Sequence, residues 1–176
     1  MAGKTQLATA GEQQAAIVIN NSFIDGLTKQ LEEKTKYGLS FPKDYNLSNA
    51  LMGAYLTLKE TKDKNNKPIL ESCSQISIAN SLMNMATLGL SVQKKQGYFI
   101  SYGSQCQFQR SYFGNITIAR RYGMKDIHAE VIYDGDEFKY HIEDGNKVLD
   151  SHEQDFMNID NDKILGAYAV VQMEDG

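Results

Sequence analysis

Between Ser72 and Lys125 the chain holds six cations and no Asp or Glu. The cations are Lys94, Lys95, Arg110, Arg120, Arg121 and Lys125. Among them stand the amides Gln93, Gln96, Gln105, Gln107 and Gln109 and the phenols Tyr98, Tyr102, Tyr112 and Tyr122. Cations and amides take phosphate oxygens, and bases can stack on the rings, so this mixture suits a long polyanion. The candidate contacts are Lys94, Lys95, Arg110, Arg120, Arg121 and Lys125 for phosphates, with Gln105, Gln107 and Tyr112 for hydrogen bonds or stacking. A core hairpin and helix lacking acids by chance would have the same composition. Arg120 and Arg121 would also suit the last turn of a helix, where cations meet the negative end of its dipole.

The rest of the chain has the opposite balance. Its 176 residues carry a formal net charge of −4, which excludes a uniformly basic binder and puts the weight on distribution. Residues 1–71 hold 9 bases and 8 acids, residues 72–125 hold 6 and 0, and residues 126–176 hold 3 and 14. Such segregation implies two faces of opposite sign, or a basic partner segment for the acidic region.

Other chemistries find little support. There is no GxxxxGK(S/T) loop and no GxGxxG, so the phosphate cradle of a nucleotide hydrolase is missing, and there is no HExxH or nucleophile elbow. His128, His141 and His152 match no ligand spacing and read as partly exposed strand or loop residues. Asp134, Asp136, Glu137, Asp160 and Asp162 raise a metal-dependent nuclease as an alternative, but DGDEF reads better as a hairpin turn and DNDKILG lacks the spacing of a calcium loop. Cys73 and Cys106 form no CxxC and read as buried thiols in a reducing compartment. No metal or cofactor is expected. The N-terminal MAGKTQLATAGEQQ has no apolar core of a signal peptide, so the expectation is a cytoplasmic protein.

The elements that must position the cations follow from periodicity. Residues 1–17 read as a flexible tail and 18–176 as a single core. A helix is predicted from about Val18, with Ile19, Phe23, Leu27 and Leu31 on one face and Gly38 and Pro42 beyond its end. A second helix is predicted from Ser48, read as its cap, to about Lys62, with Leu51, Ala54, Tyr55 and Leu58 inward. Lys62–Pro68 reads as an exposed loop. A third helix spans about Ser74–Leu88, with Gly89 after its end. A hairpin then pairs 97–102 with 105–110 around Gly103-Ser104. It sets Tyr98, Ile100 and Tyr102 on one face, and Gln105, Gln107 and Gln109 alternate against Cys106, Phe108 and Arg110. A short helix covers about Tyr112–Tyr122. From Asp126 the chain is β-rich: strands near 127–133 and 136–142, an acidic irregular stretch at 150–162, and a strand at 164–173 read as buried. The class is α+β, with a small antiparallel sheet of hairpins packed with helices. Glu174-Asp175-Gly176 reads as a turn with no return strand, so the natural protein is expected to continue.

Several segments taken in order resemble one family. ATLGL (86–90), GYFISYG (97–103), CQFQRSYFGNITIARRYG (106–123) and AEVIYDGDEF (129–138) resemble the RecT family of phage single-strand annealing proteins, grouped with Redβ. YAVVQMEDG (168–176) is similar to the segment that follows, and the resemblance spans about 45–176. Two departures stand out. Phe113 lies where members often carry a base, and the later strand and helices with a Trp and a Lys-Thr…Arg stretch are absent.

The resemblance implies ATP-independent binding and annealing of single-stranded DNA in homologous recombination. It implies a homo-oligomeric ring or helical filament with DNA in a basic groove, and no catalytic residues. It also implies a 5′→3′ exonuclease partner resembling RecE, and a host single-strand binding protein met through the missing C-terminal region. The protein would be encoded by a phage or prophage and act in the bacterial cytoplasm. The alternative of another class is a structural or assembly protein whose hairpin and helices make subunit contacts.

Overall fold

Three of the longer helices start at Asn or Ser side chains that accept from otherwise unpaired amide groups. The computed structural model describes residues 18–175, so the expected tail at 1–17 lies outside the described residues. Asn20 accepts from Phe23 N and opens α1 (Asn21–Lys34), which tightens into a 3-10 turn at Thr35–Tyr37. Asn46, not Ser48, caps α2 (Leu47–Glu60) by accepting from Asn49 N at 2.8 Å. A one-turn helix, α3 (Ile69–Ser72), precedes α4 (Gln75–Thr87), which Ser74 caps. Strands β1 (Gly97–Tyr102) and β2 (Gln105–Arg110) follow, then α5 (Tyr112–Arg121). Strands β3 (Met124–Tyr133), β4 (Glu137–Glu143), β5 (Asn146–Glu153) and β6 (Ile164–Met173) complete the order. The strands form three antiparallel pairs, β1–β2, β3–β6 and β4–β5, so the fold is α+β.

The described chain divides into two compact units between Thr117 and Ile118. In the first, apolar stripes of α1, α2 and α4 meet. Ile24, Leu31, Leu51, Leu58, Ile78 and Leu82 are each at most 1% exposed. Burying a side chain of this size contributes about 1.5–3 kcal/mol, so these positions dominate the unit's stability. The hairpin lies with one face on this core: Phe99, Cys106 and Phe108 are buried, and the two phenylalanine rings meet at 5.7 Å. Cys73 and Cys106 are both free and buried, and burial pushes the Cys106 thiol up to about 11.

In the second unit, the β3–β6 and β4–β5 pairs line an apolar cleft whose walls include Ile132, Phe138, Leu149 and Val170. Two expectations are corrected here. β6 is not a buried strand: Ile164, Leu165, Val170 and Val171 are exposed, because among the described residues β6 pairs only with β3. The acidic stretch is not irregular from residue 150, since β5 runs on to Glu153 in register with β4.

Candidate nucleic-acid interface

The β1–β2 register decides what each face of the hairpin offers. Tyr98 pairs with Gln109, Ile100 with Gln107 and Tyr102 with Gln105. Side chains of directly paired residues share a face, so three amides and two phenols form one ladder pointing away from the core. Tyr98 and Tyr102 are about half exposed, and Gln109 Nε2 donates to the Tyr102 hydroxyl. This face carries no charge, and it offers ring surface and amide groups at strand spacing.

The charge sits at the open end of the same hairpin. Gly97 pairs with Arg110, so Lys94 and Lys95 enter β1 beside the point where Arg110 leaves β2. Arg110 alternates with the glutamines and shares the parity of Cys106 and Phe108, yet as the last residue of the strand it is exposed. Lys94 and Lys95 are exposed too, and among the described residues none of the three has a carboxylate partner. Tyr112 follows at the start of α5, 64% exposed, with its ring 3.9 Å from that of Phe113.

The lysine turn is held rigidly. Lys95 N donates to Val92 O, Gln96 N to Ser91 O, and the Ser111 hydroxyl to Lys95 O at 2.6 Å. The Gln96 side chain accepts from Ser91 N and donates to the Thr117 hydroxyl. Lys95 takes φ +56°, a left-handed conformation unfavourable for a lysine. Gly114 allows α5 to approach this turn: a Cβ there would stand 2.1 Å from Gln96 O. Gly53 of α2 provides a second notch, filled by the amide of Gln93.

Arg120, Arg121 and Lys125 belong to the second unit. The arginines occupy the last turn of α5, and all three residues are exposed. Met124 pairs with Met173 and Asp126 with Gln172, which leaves Lys125 as the extra residue of a bulge. A bulge re-aims the side chain it carries. Thus Lys94, Lys95, Arg110 and Tyr112 come together at one end of the hairpin, Gln105 and Gln107 lie along its ladder, and the remaining three cations are set close in sequence on their own unit.

The periodicity missed one buried polar cluster in the second unit. His152 faces Phe138 across the β4–β5 register, and its side chain is 6% exposed, unlike those of His128 and His141, which are more than half exposed. As a residue His152 is intermediate in exposure, as expected, but it lies in β5 and its side chain is turned inward. Its Nε2 lies 3.2 Å from Asp136 Oδ2, and its Nδ1 lies 3.0 Å from the Tyr168 hydroxyl. A carboxylate only accepts, so Nε2 carries a proton and donates to Asp136. Asp136 also accepts from Tyr133 N, Gln154 Nε2 and Asn158 Nδ2. The Tyr133 amide is the first cause that holds its carboxyl below the usual carboxylate range, and the His152, Gln154 and Asn158 bonds add to it against the desolvation of a buried group. Asp136 is therefore a turn residue, as DGDEF suggested, and also the hub joining β3, β5 and the 3-10 turn at Phe156–Asn158. Among the described residues no group of three or more His, Cys, Asp or Glu is placed to hold a metal ion.

Comparison with known proteins settles the family. A family model described as the RecT family matches residues 48–176. This chain belongs to the RecT family. Proteins of the RecT family anneal single-stranded DNA in recombination. The chain is also similar to an uncharacterized protein, YqaK, of Bacillus subtilis (strain 168), at 31% identity over 115 residues. That match takes in 64% of this RecT-family chain and 39% of the relative's length, so the chain spans well under half of the relative it matches.

Proposed function

We propose that this protein binds single-stranded DNA without sequence preference and anneals it to a complementary strand, without ATP, as a homo-oligomer in homologous recombination. The observation that carries this reading is the hairpin. It has an uncharged ladder of phenols and amides on its outward face and, at its open end, three cations with no carboxylate partner among the described residues, within a stretch free of carboxylates. Lys94, Lys95 and Arg110 hold phosphates there, with Gln105, Gln107 and Tyr112 along or beside the ladder. Arg120, Arg121 and Lys125 hold phosphates from the second unit. Gripping the backbone leaves base edges available to a second strand, and annealing then runs downhill on pairing and stacking. Residues 18–176 act as one functional core, assembled on DNA as a ring or helical filament. Its partners are a 5′→3′ exonuclease that exposes the strand and a host single-strand binding protein, and it works in the cytoplasm of the bacterial host. Among the described residues no helix is long and apolar enough to cross a membrane.

The test is annealing of two labelled complementary oligonucleotides at low salt with neither ATP nor metal. Acceleration over the protein-free rate supports the reading. No acceleration and no retention of either strand would leave subunit assembly as the better account of the hairpin.

A further inference from the structure

Beside the outer edge of β2 lies a cleft of about 360 Å³, lined by Ser77, Asn80, Ser81 and Asn84 of α4 and by residues 105–108 of β2. The four α4 residues are spaced three and four apart, so they form a polar stripe along one side of a helix whose other positions are largely apolar. Two of them are already used. Cys106 N donates to the Ser77 hydroxyl at 2.9 Å, and the Ser81 hydroxyl donates to Cys106 O at 2.9 Å. The serines thus stand in for a third strand at Cys106 and fix the helix against the sheet edge.

The other two are unspent. Asn80 and Asn84 are exposed, and among the described residues neither side chain has a hydrogen-bond partner. The opposite wall is the β2 edge at residues 105–108, where the Gln105 and Gln107 side chains belong to the outward ladder. The α4 wall of the cleft therefore carries two unspent carboxamides, Asn80 and Asn84, and there is no charge among the lining residues. A charge-free wall is poorly suited to phosphate, which the cations at the far end of the hairpin serve. Each carboxamide offers both donors and acceptors and can rotate to exchange them, which matches the mixed polar edge of any of the four bases.

We infer that the α4–β2 cleft receives one unpaired nucleobase of the bound strand, with Asn80 and Asn84 as its polar contacts. This rests on the DNA-binding reading and adds to it a site that reads base edges in a sequence-tolerant way. The cleft volume admits a purine as readily as a pyrimidine. The one base in each cleft is held by its edge until the second strand competes for it, while the backbone grip leaves the other bases free to pair.

The experiment compares the full chain with Asn80→Ala/Asn84→Ala on two probes, an ordinary single-stranded oligonucleotide and one of equal length made of abasic sugar-phosphate. Alanine favours helix, so thermal melting is expected to be unchanged. For the ordinary strand the double variant is expected to bind about tenfold more weakly, the equivalent of one or two lost hydrogen bonds. For the abasic strand it is expected to bind as the unaltered protein does. An equal loss on both probes would assign the cleft to the backbone and overturn the inference. No loss on either probe would overturn it too, as would a changed oligomer size with unchanged DNA affinity, which would make the cleft a peptide or subunit contact. If the unaltered protein retains neither probe, the DNA-binding reading itself fails, and that outcome is distinct from the others.

Discussion

At Lys95 the backbone conformation and the proposed phosphate contact can be tested together. Its left-handed φ of +56° is one that glycine adopts freely and lysine does not. Lys95→Gly is expected to raise stability by about 0.5–1 kcal/mol, the relief of strain less the extra entropy of an unfolded glycine. It should weaken single-strand binding in the same protein. Melting temperature and a binding isotherm measured together check both halves, and a variant that binds undiminished would remove Lys95 from the interface. Asp136 gives a second expectation at this scale. Its folded pKa is depressed, so its contribution is present above the unfolded value of about 3.9 and is lost as pH falls through the folded value. Melting temperature should therefore drop as pH is lowered below about 4, and Asp136→Asn should melt lower at neutral pH with a flatter profile. An unchanged profile in that variant would show that other carboxylates set the acid limit.

For the elements, the lysine turn and α5 make a matched pair. Gly114→Ala would gain helix propensity yet drive a methyl into Gln96 O, which is backbone and cannot swing aside. The net loss is expected to be about 1–2 kcal/mol, in the range of overpacking, with DNA affinity falling as the turn shifts. Gly53→Ala is the control: the three atoms nearest the added methyl are all at the end of the flexible Gln93 side chain, which can swing aside, so stability should stay within about 0.5 kcal/mol. Chemical denaturation of the two variants decides between them. Equal losses would mean that the turn is no more rigid than an ordinary loop. Lys94→Ala and Arg110→Ala act on the hairpin's open end. Each is expected to lower single-strand affinity about threefold to tenfold at low salt while leaving the fold intact.

For the whole molecule, the balance of charge gives the measurable quantity. Six phosphate contacts predict a slope of about −4 for log affinity against log salt per protomer, at roughly −0.7 per contact. Each alanine substitution that removes a contact should reduce the slope by about 0.7. A slope near zero would mean that the basic stretch does not meet DNA, whatever its composition. The acidic residues after Asp126 act in the opposite sense, lowering non-specific attraction of the whole chain for polyanions.

The sequence by itself determined the types of most elements, though not β5 or α3, together with the hairpin and its two faces, the carboxylate-free stretch and the family. These are legible because they rest on local periods, turn residues and charge counts. Tyr98, Phe99 and Gln105–Phe108 alternate as a period of two requires, and Ser74 caps α4 where its type suggests. Only the tertiary structure decided which polar residues are spent and which are open. Ser77 and Ser81 look like Asn80 and Asn84 in the sequence, yet contact with Cys106 satisfies the first pair and leaves the second facing a cleft. His152 looks like His141, yet the extra length of β5 buries it against Asp136 and Tyr168. The Gly114 notch under Gln96 is equally invisible in the chain order. Burial and hydrogen-bond partners are set by residues far apart along the chain, and a local pattern carries no information about which of them meet.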